Sequence, residues 1–276
     1  MSFRVAMIQV GSTPDKEENL RTAAHYMSRA AVSGANLVVF PEVFMNHFPQ
    51  GTPAEVQYAS AESLDGPFCR GMADLARQHG LWAVFGMRER TARDEQRSHN
   101  TTVIVNSDGE QVSVYRKTHL YDAFGAMESA TVAPGDELFV PIDTPFGRLG
   151  LFVCYELRFP EVAREQVAAG AEVLLVPSGW VRGPMKEYHW QSLVTTRAIE
   201  NTAFVVACDQ VSDYYCGRSM VVDPMGVAMV TGGEEEQILL CDIDLDRIRS
   251  VRKKLPSYSH RRPTLYKALR NEASVQ

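Results

Sequence analysis

The sequence predicts a layered α/β fold whose sheets contain both parallel and antiparallel strands. Short apolar, β-prone runs alternate along the chain with longer segments whose apolar residues recur at helical spacing. Turn signals interrupt this alternation at residues 106–109 and again at residues 223–226, and both favour hairpins. Because a hairpin joins antiparallel strands and a helical crossover joins parallel ones, we expect mixed sheets.

The first half of the chain supplies two predicted helices and five predicted strands. The helices cover residues 16–33, which Pro14-Asp15 precedes and Gly34 follows, and residues 68–78. The strands cover residues 3–10, 36–40, 82–86, 101–105 and 111–115. The last two strands flank the turn at 106–109, so they are expected to form the first hairpin.

The second half continues the same alternation. Strands are predicted at residues 149–153, 173–176, 203–207 and 238–243, and helices at residues 160–169, 187–200 and 245–253. No linker-like or low-complexity stretch divides the chain, so residues 1–276 are predicted to form a single domain. Residues 255–276 are polar and punctuated by proline, and we expect them to form a C-terminal arm.

The charge of the chain argues against a nucleic-acid partner. The formal net charge is −6, and basic residues cluster only at residues 249–254 and at Arg261-Arg262, whereas nucleic-acid-binding surfaces are strongly basic. No apolar run reaches the length of a membrane span. We therefore predict neither a nucleic-acid nor a membrane partner.

Cysteine usage favours a reducing compartment. The five cysteines (Cys69, Cys154, Cys208, Cys216 and Cys241) are odd in number and lack tight spacing, which disfavours a disulfide framework and a structural zinc site. The first residues enter a strand-like run without the features of a secretory signal, so a cytoplasmic protein is predicted. The seven histidines are scattered without ligand spacing, and we expect no metal site.

Two charged side chains follow predicted strands. Glu42 comes after the strand at 36–40 and after Pro41, which fixes the direction in which the chain leaves the sheet. Open α/β sheets carry functional groups at such strand ends, although a hydrogen-bonded structural carboxylate would fit equally well. Lys117 closely follows the strand at 111–115, and taken alone it is best explained as an exposed charge.

A cysteine ends the most apolar strand of the second half. Residues 149–153 are uniformly apolar apart from one glycine and stop at Cys154, and a helix is predicted soon after. Such a junction can present a nucleophile beside N–H groups that stabilise an oxyanion, but a free cysteine is also a common core residue. Considered together, Glu42, Lys117 and Cys154 supply the base, the cation and the thiol that thiol-dependent amide hydrolysis requires.

Three segments, in this order, resemble the nitrilase or carbon-nitrogen hydrolase superfamily, whose signature is a Glu-Lys-Cys triad. They are Phe40-Pro41-Glu42, Tyr115-Arg116-Lys117-Thr118-His119-Leu120 and Cys154-Tyr155-Glu156-Leu157-Arg158-Phe159-Pro160-Glu161. The resemblance runs from about Phe3 to Tyr266. Within the superfamily the segment around Cys154 is most similar to the Nit branch, which includes ω-amidases and deaminated-glutathione amidases.

This resemblance implies a four-layer αββα sandwich and a cysteine-dependent enzyme that needs no metal or organic cofactor. Glu42 would take the thiol proton of Cys154, and Lys117 with the Tyr155 N–H would hold the oxyanion. Glu128 matches a second glutamate of the family, which would pass a proton to the leaving group or orient Lys117. The alternative for Glu128 is a solvated loop acid.

The predicted substrate is a small-molecule aliphatic amide, including amides that carry an ω-carboxylate. Arg158 could bind such a carboxylate or form a structural ion pair, and Phe44 and Trp180 could line the pocket or belong to the core. Residues 121–127 are shorter, and residues 178–190 longer, than the family pattern, so the rim of the pocket departs from it. The product would be a carboxylic acid, released from a Cys154 thioester.

Other functions remain open at this stage. Nitrile hydrolysis and N-carbamoyl amine hydrolysis use the same triad. A catalytically silent binding scaffold is an alternative from a different class, although retention of all four site residues argues against it. Members of the superfamily pair through helices of the nucleophile half, with the C-terminal arm crossing to the partner, so the resemblance also implies a homodimer or higher assembly.

Overall fold

The computed structural model describes residues 1–91 and 96–266 of the chain. Its helices are α1 (Lys16–Val32), α2 (Ala54–Ala59), α3 (Pro67–His79), α4 (Pro160–Ala168), α5 (Lys186–Asn201) and α6 (Asp246–Lys254). Two short 3-10 helices cover Glu128–Ala130 and Cys154–Arg158.

The described part of the chain contains thirteen strands. The first six are β1 (Ser2–Gln9), β2 (Leu37–Val39), β3 (Trp82–Arg90), β4 (Ser98–Val105), β5 (Gln111–Arg116) and β6 (Val132–Ala133). The others are β7 (Ile142–Thr144), β8 (Gly147–Leu151), β9 (Val173–Ser178), β10 (Phe204–Asp209), β11 (Met220–Val222), β12 (Ala228–Thr231) and β13 (Gln237–Asp244).

These strands form two mixed sheets. The first has the order β13-β1-β2-β3-β4-β5, with β6 beside β4, and the second has the order β12-β11-β10-β9-β8-β7. In the first sheet β1, β2 and β3 are parallel while β3, β4 and β5 are antiparallel, and in the second β8, β9 and β10 are parallel. The last strand, β13, returns to pair with β1 over its whole length and so joins the two ends of the fold.

The apolar pattern of β1 explains how the layers stack. Val5 and Met7 face the core shared with the second sheet, whereas Ala6 and Ile8 face the core formed with α1 and α3. Successive side chains of a strand point to opposite faces, so the consecutive apolar residues 5–8 of β1 are buried on both sides of the sheet. Helices cover the outer face of each sheet, α1 and α3 on the first and α4 and α5 on the second.

The structure confirms the predicted four-layer αββα sandwich with mixed sheets. Each predicted helix and strand is present, and β3 continues to Arg90 instead of ending at residue 86. In the expected C-terminal arm, the Tyr258 hydroxyl donates to the Val167 carbonyl of α4 at 3.2 Å, and residues 267–276 of that arm lie outside the described residues. No helix in the described part of the chain is both long and apolar enough to cross a membrane.

Candidate active site

Three side chains that were predicted to form the site meet where strands of the two sheets end. Glu42 follows β2, Lys117 follows β5 and Cys154 follows β8. They are buried, with 5%, 2% and 7% of their surfaces exposed. The second sheet is tied to this point by Gln210, which follows β10 and whose Nε2 donates to the Glu42 carbonyl oxygen at 2.8 Å. The fold therefore gathers the predicted base, cation and nucleophile from distant parts of the sequence.

Backbone packing fixes the position of Glu42. The next residue, Val43, has a left-handed φ of 48°, which a β-branched residue rarely adopts. Gly86 of β3 allows this turn to approach the sheet, because a Cβ at residue 86 would lie 2.4 Å from the Val43 nitrogen. The Met45 N–H also donates to the Gly86 carbonyl oxygen at 2.9 Å. The strained turn thus holds Glu42 at the end of β2.

The Glu42 carboxylate accepts three hydrogen bonds. Its Oε1 accepts from Lys117 Nζ at 2.8 Å and from Asn100 Nδ2 at 2.7 Å. Its Oε2 accepts from the Gly179 N–H at 2.8 Å. The Glu42 charge and the Gly179 N–H both act on the Cys154 thiol, so the carboxylate lies close to that sulfur.

Lys117 bridges two carboxylates. Its Nζ donates to Glu42 Oε1 and to Glu128 Oε2, the latter at 2.9 Å. Burial alone would lower the pKa of Lys117, but the charges of Glu128 and Glu42 outweigh burial and raise this pKa well above its ordinary value. Lys117 is therefore a permanent cation in the site.

Glu128 is held from both sides. Besides Lys117, its Oε2 accepts from the Tyr121 N–H at 2.6 Å, and its Oε1 accepts from Asn100 Nδ2 at 3.0 Å. Asn100 therefore donates to both glutamates. This asparagine was missed by the sequence analysis, since an asparagine within a strand gives no local sign that its amide faces two charges.

The backbone of Cys154 is strained and its thiol is neutral at rest. Cys154 begins the 3-10 helix after β8 and has a φ of 50°, in the left-handed region. Burial, together with the Glu42 carboxylate, raises the pKa of the Cys154 thiol well above its ordinary value, and Lys117 only partly opposes them. A thiol in this state needs a base at the moment of attack.

A cavity with about 220 Å³ of empty space, part of it open to solvent, has Cys154 in its wall. Its walls include Tyr121, Tyr155, Arg158, Trp180 and Lys186. Three of these, Tyr155, Arg158 and Trp180, were predicted to bind substrate. Trp180 is fixed by its indole N–H, which donates to the Lys186 carbonyl oxygen at 2.8 Å.

The prediction that Phe44 lines the pocket is wrong. Phe44 is fully buried in the core between the first sheet and its helices. Its ring stacks on Phe40 with centroids 4.5 Å apart and also contacts Phe68 of α3. The left-handed turn at Val43 directs the next side chain away from the cavity, and the sequence alone did not reveal that turn.

Lys186 is a cavity residue that the sequence analysis missed. It lies at the start of α5 and is 6% exposed, within residues 178–190, which are longer than the family pattern. A lysine at the beginning of a predicted helix is ordinarily a solvated charge, and only the fold turns this one inward.

Comparison with known proteins places this geometry in a family. The model of the carbon-nitrogen hydrolase family matches residues 4–253. The chain belongs to the carbon-nitrogen hydrolase family. It is 42% identical to the deaminated glutathione amidase of Bos taurus over 277 residues, covering 95% of this chain and 83% of the relative. It is 33% identical to the Escherichia coli O157:H7 deaminated glutathione amidase, with 94% and 97% covered.

A solved structure agrees with the sequence relatives. Nit3 of Saccharomyces cerevisiae, described as a member of branch 10 of the nitrilase superfamily, superposes with a TM-score of 0.83 at 32% identity. The match covers 95% of this carbon-nitrogen hydrolase and 97% of Nit3. These findings confirm the predicted nitrilase superfamily and its Nit branch.

A second buried carboxylate joins two segments of this carbon-nitrogen hydrolase site. Glu156 is fully buried two residues after Cys154. Its Oε1 accepts from the Thr118 N–H at 3.0 Å, from the Thr118 hydroxyl at 2.7 Å and from the Tyr115 hydroxyl at 2.7 Å. Its Oε2 accepts from the Val153 N–H at 2.7 Å. One side chain therefore links the loop after Lys117 to the residue before Cys154.

Proposed function

We propose that this chain is an amidase that converts a small aliphatic amide to a carboxylic acid and ammonia through a thioester on Cys154. The observation that carries the proposal is the ion cluster beside the thiol, in which Lys117 Nζ lies 2.8 Å from Glu42 Oε1 and 2.9 Å from Glu128 Oε2. A thiol, a base and a fixed cation at one cavity are the groups that acyl transfer uses.

The first step forms the carbon–sulfur bond. Glu42 takes the proton of the Cys154 thiol as the sulfur attacks the amide carbon, and the carbonyl electrons move to oxygen. Lys117 is positioned to stabilise this oxyanion. The Tyr155 N–H can also donate to it, because the first N–H groups of a helix have no acceptor within the helix.

The second half-reaction releases both products. Protonated Glu42 passes its proton to the amide nitrogen, the carbon–nitrogen bond breaks, and ammonia leaves the thioester. Glu42 then takes a proton from water, the resulting hydroxide attacks the thioester carbon, and the departing thiolate recovers the proton. Glu128, which bonds to Lys117 Nζ at 2.9 Å, keeps the cation in place throughout.

The charge of the cavity supports an acyl chain that carries a carboxylate. Arg158 lies in the cavity wall, and its guanidinium suits a carboxylate. Relatives named deaminated glutathione amidase support the same substrate class.

The test is ammonia release by the purified chain from a panel of substrates. The panel contains ω-amides that carry a carboxylate, simple aliphatic amides, N-carbamoyl amines and nitriles of matched length. We expect the carboxylated ω-amides to give the highest kcat/KM, by at least about 10-fold, since a charged hydrogen bond contributes roughly 1.5 to 3 kcal/mol. Faster release from nitriles or carbamoyl compounds would contradict the amidase assignment.

We also propose that the chain is cytoplasmic. We propose further that it forms a homodimer or a higher assembly. The assembly is supported by four exposed apolar side chains, Ile199, Met225, Val227 and Met229. Ile199 of α5 lies against Gly226, which Met225 precedes and Val227 follows. Exposed apolar patches often mark protein interfaces. We expect light scattering to give at least twice the mass of one chain, and a monomeric mass would contradict the proposal.

A further inference from the structure

Lys186 is a buried cation that faces the same cavity as Cys154. Its side chain is 6% exposed, and it lines the cavity together with Arg158. Its Nζ donates to the Tyr121 hydroxyl at 2.7 Å, which leaves two of its three N–H donors for other partners. The position of Nζ is therefore fixed while part of its hydrogen-bonding capacity remains available.

Aromatic rings hold this ammonium without neutralising it. Nζ lies 4.1 Å from the ring centroid of Phe124, 4.8 Å from that of Tyr121 and 5.7 Å from that of Trp180. Ring faces attract a cation but carry no net charge. Among residues 1–91 and 96–266, no carboxylate forms an ion pair with Lys186.

A second cation with spare hydrogen-bonding capacity lies beside it. The Arg158 guanidinium stacks on Trp180 at 4.9 Å, and its buried Nε has no partner in the described part of the chain. Its Nη2 lies 3.5 Å from His189 Nδ1, at the limit of a hydrogen bond. Burial, and then the charge of Arg158, lower the pKa of Lys186, so the two cations repel each other across the cavity.

A bound anion would reduce the repulsion between Lys186 and Arg158. Lys186 is buried and Arg158 is half-buried, and like charges removed from water without a counter-ion cost free energy. A negative group between them replaces repulsion by two charge-assisted hydrogen bonds. A carboxylate has two oxygens in one plane, so one can accept from Lys186 and the other from Arg158. Neutral amides would leave both cations unpaired.

We infer that Lys186 is a specificity-determining residue that binds, together with Arg158, the carboxylate at the far end of the substrate's acyl chain. This inference rests on the proposed amidase function and adds to it a second recognition group. It predicts that selectivity for carboxylated amides depends on Lys186 itself, and not on Arg158 alone.

The test compares two amides of equal length, one ending in a carboxylate and the other in a methyl group. The readout is the ratio of their kcat/KM values for the wild type, Lys186→Met and Lys186→Arg. Methionine keeps the length and apolar stem but removes the charge, so we expect Lys186→Met to lower the ratio by about 10- to 100-fold. Arginine restores the charge, and Lys186→Arg should recover most of the ratio.

The matched control is Lys253→Met, which removes an exposed lysine from α6. It should leave both kcat/KM values unchanged. If Lys186→Met lowered the two kcat/KM values equally, leaving their ratio as in the wild type, the inference would be wrong while the amidase function stood.

A binding experiment tests the carboxylate site independently of the amidase function. Calorimetry would measure succinate and glutarate, which resemble the acid products, with Cys154→Ala and with Cys154→Ala combined with Lys186→Met. We expect the combined variant to bind at least one of them about 10-fold more weakly. Lys186-dependent binding without any amide hydrolysis would support the carboxylate site and refute the amidase function. Equal affinity of the two variants for both compounds would refute the site.

Discussion

Replacing Cys154 by alanine is expected to lower the rate of ammonia release by at least about 10⁴-fold. When catalytic residues act together, loss of the nucleophile removes nearly all of the rate enhancement. The change removes one buried sulfur atom, so the fold should persist, as circular dichroism and thermal unfolding would report. The matched control is Cys241→Ala. Cys241 has the same exposed fraction, 7%, but lies on β13 outside the cavity.

The covalent intermediate gives this prediction a second readout. Rapid quenching of the wild type during turnover, followed by intact mass measurement, should reveal one added acyl group. Peptide mapping should place that group on Cys154, and Cys154→Ala should show no adduct. An adduct on another cysteine, or full activity of Cys154→Ala, would contradict the proposed mechanism.

The meeting of Glu42, Lys117 and Cys154 could be predicted because each of them closely follows a strand. The runs before Glu42, Lys117 and Cys154 are short and apolar or β-prone, and strand ends are where such folds collect functional groups. Residue type and order along the chain then matched one family signature. Neither feature depends on how the side chains pack.

The cavity wall could be predicted only in part, because the positions of Phe44 and Lys186 depend on two backbone turns. The left-handed conformation of Val43 sends Phe44 into the core, although its sequence position beside Glu42 suggested the pocket. At the other wall, the inward direction of Lys186 depends on the path of residues 178–186 between β9 and α5. Local patterns do not encode either direction.

Asn100 and Glu156 illustrate a different limit. Each acts through partners that are remote in sequence, since Asn100 bonds to Glu42 and Glu128, and Glu156 bonds to Thr118. A polar residue next to a strand or a nucleophile is consistent with many roles. Only the assembled sheets decide which groups it joins.

Glu156→Gln is expected to have the second largest effect, although Glu156 is not among the residues that line the cavity. Its carboxylate accepts from Val153 on one oxygen and from Thr118 and Tyr115 on the other. A glutamine amide replaces one of these oxygens by an NH₂ group, which cannot accept, so buried donors lose their partner. Each such loss costs about 1 to 3 kcal/mol, and we expect urea unfolding to report a decrease of about 2 to 4 kcal/mol in the free energy of unfolding.

The kinetic consequence follows from what Glu156 connects. Thr118 follows Lys117 and Val153 precedes Cys154, so loosening this link changes the distance between the cation and the nucleophile. A misplacement of about 1 Å can lower the rate about 10²-fold. We expect Glu156→Gln to lower kcat by about that factor with a smaller change in KM, and Glu156→Asp, which keeps the charge, to recover part of kcat.

The pH dependence of the free energy of unfolding tests whether Glu156 stabilises the fold as a charged carboxylate or only by packing. Burial alone would raise the pKa of Glu156, but hydrogen bonds from His119, Thr118, Val153 and Tyr115 outweigh burial and lower it. Its contribution to stability is therefore complete above the pKa of an unfolded glutamate, and it is lost as the pH falls through the lower folded value. Stability of Glu156→Gln should fall less steeply over that acidic range than stability of the wild type.

The control for Glu156→Gln is a second buried glutamate that does not join the catalytic segments. Glu89 is 6% exposed and accepts from Thr101 and Arg116. Glu89→Gln should also lower stability, but kcat measured on the folded fraction should change by less than about 3-fold, since no link between Lys117 and Cys154 is cut. If the two variants lost kcat equally, Glu156 would be a stabilising residue only, and the alignment of Lys117 with Cys154 would not depend on it.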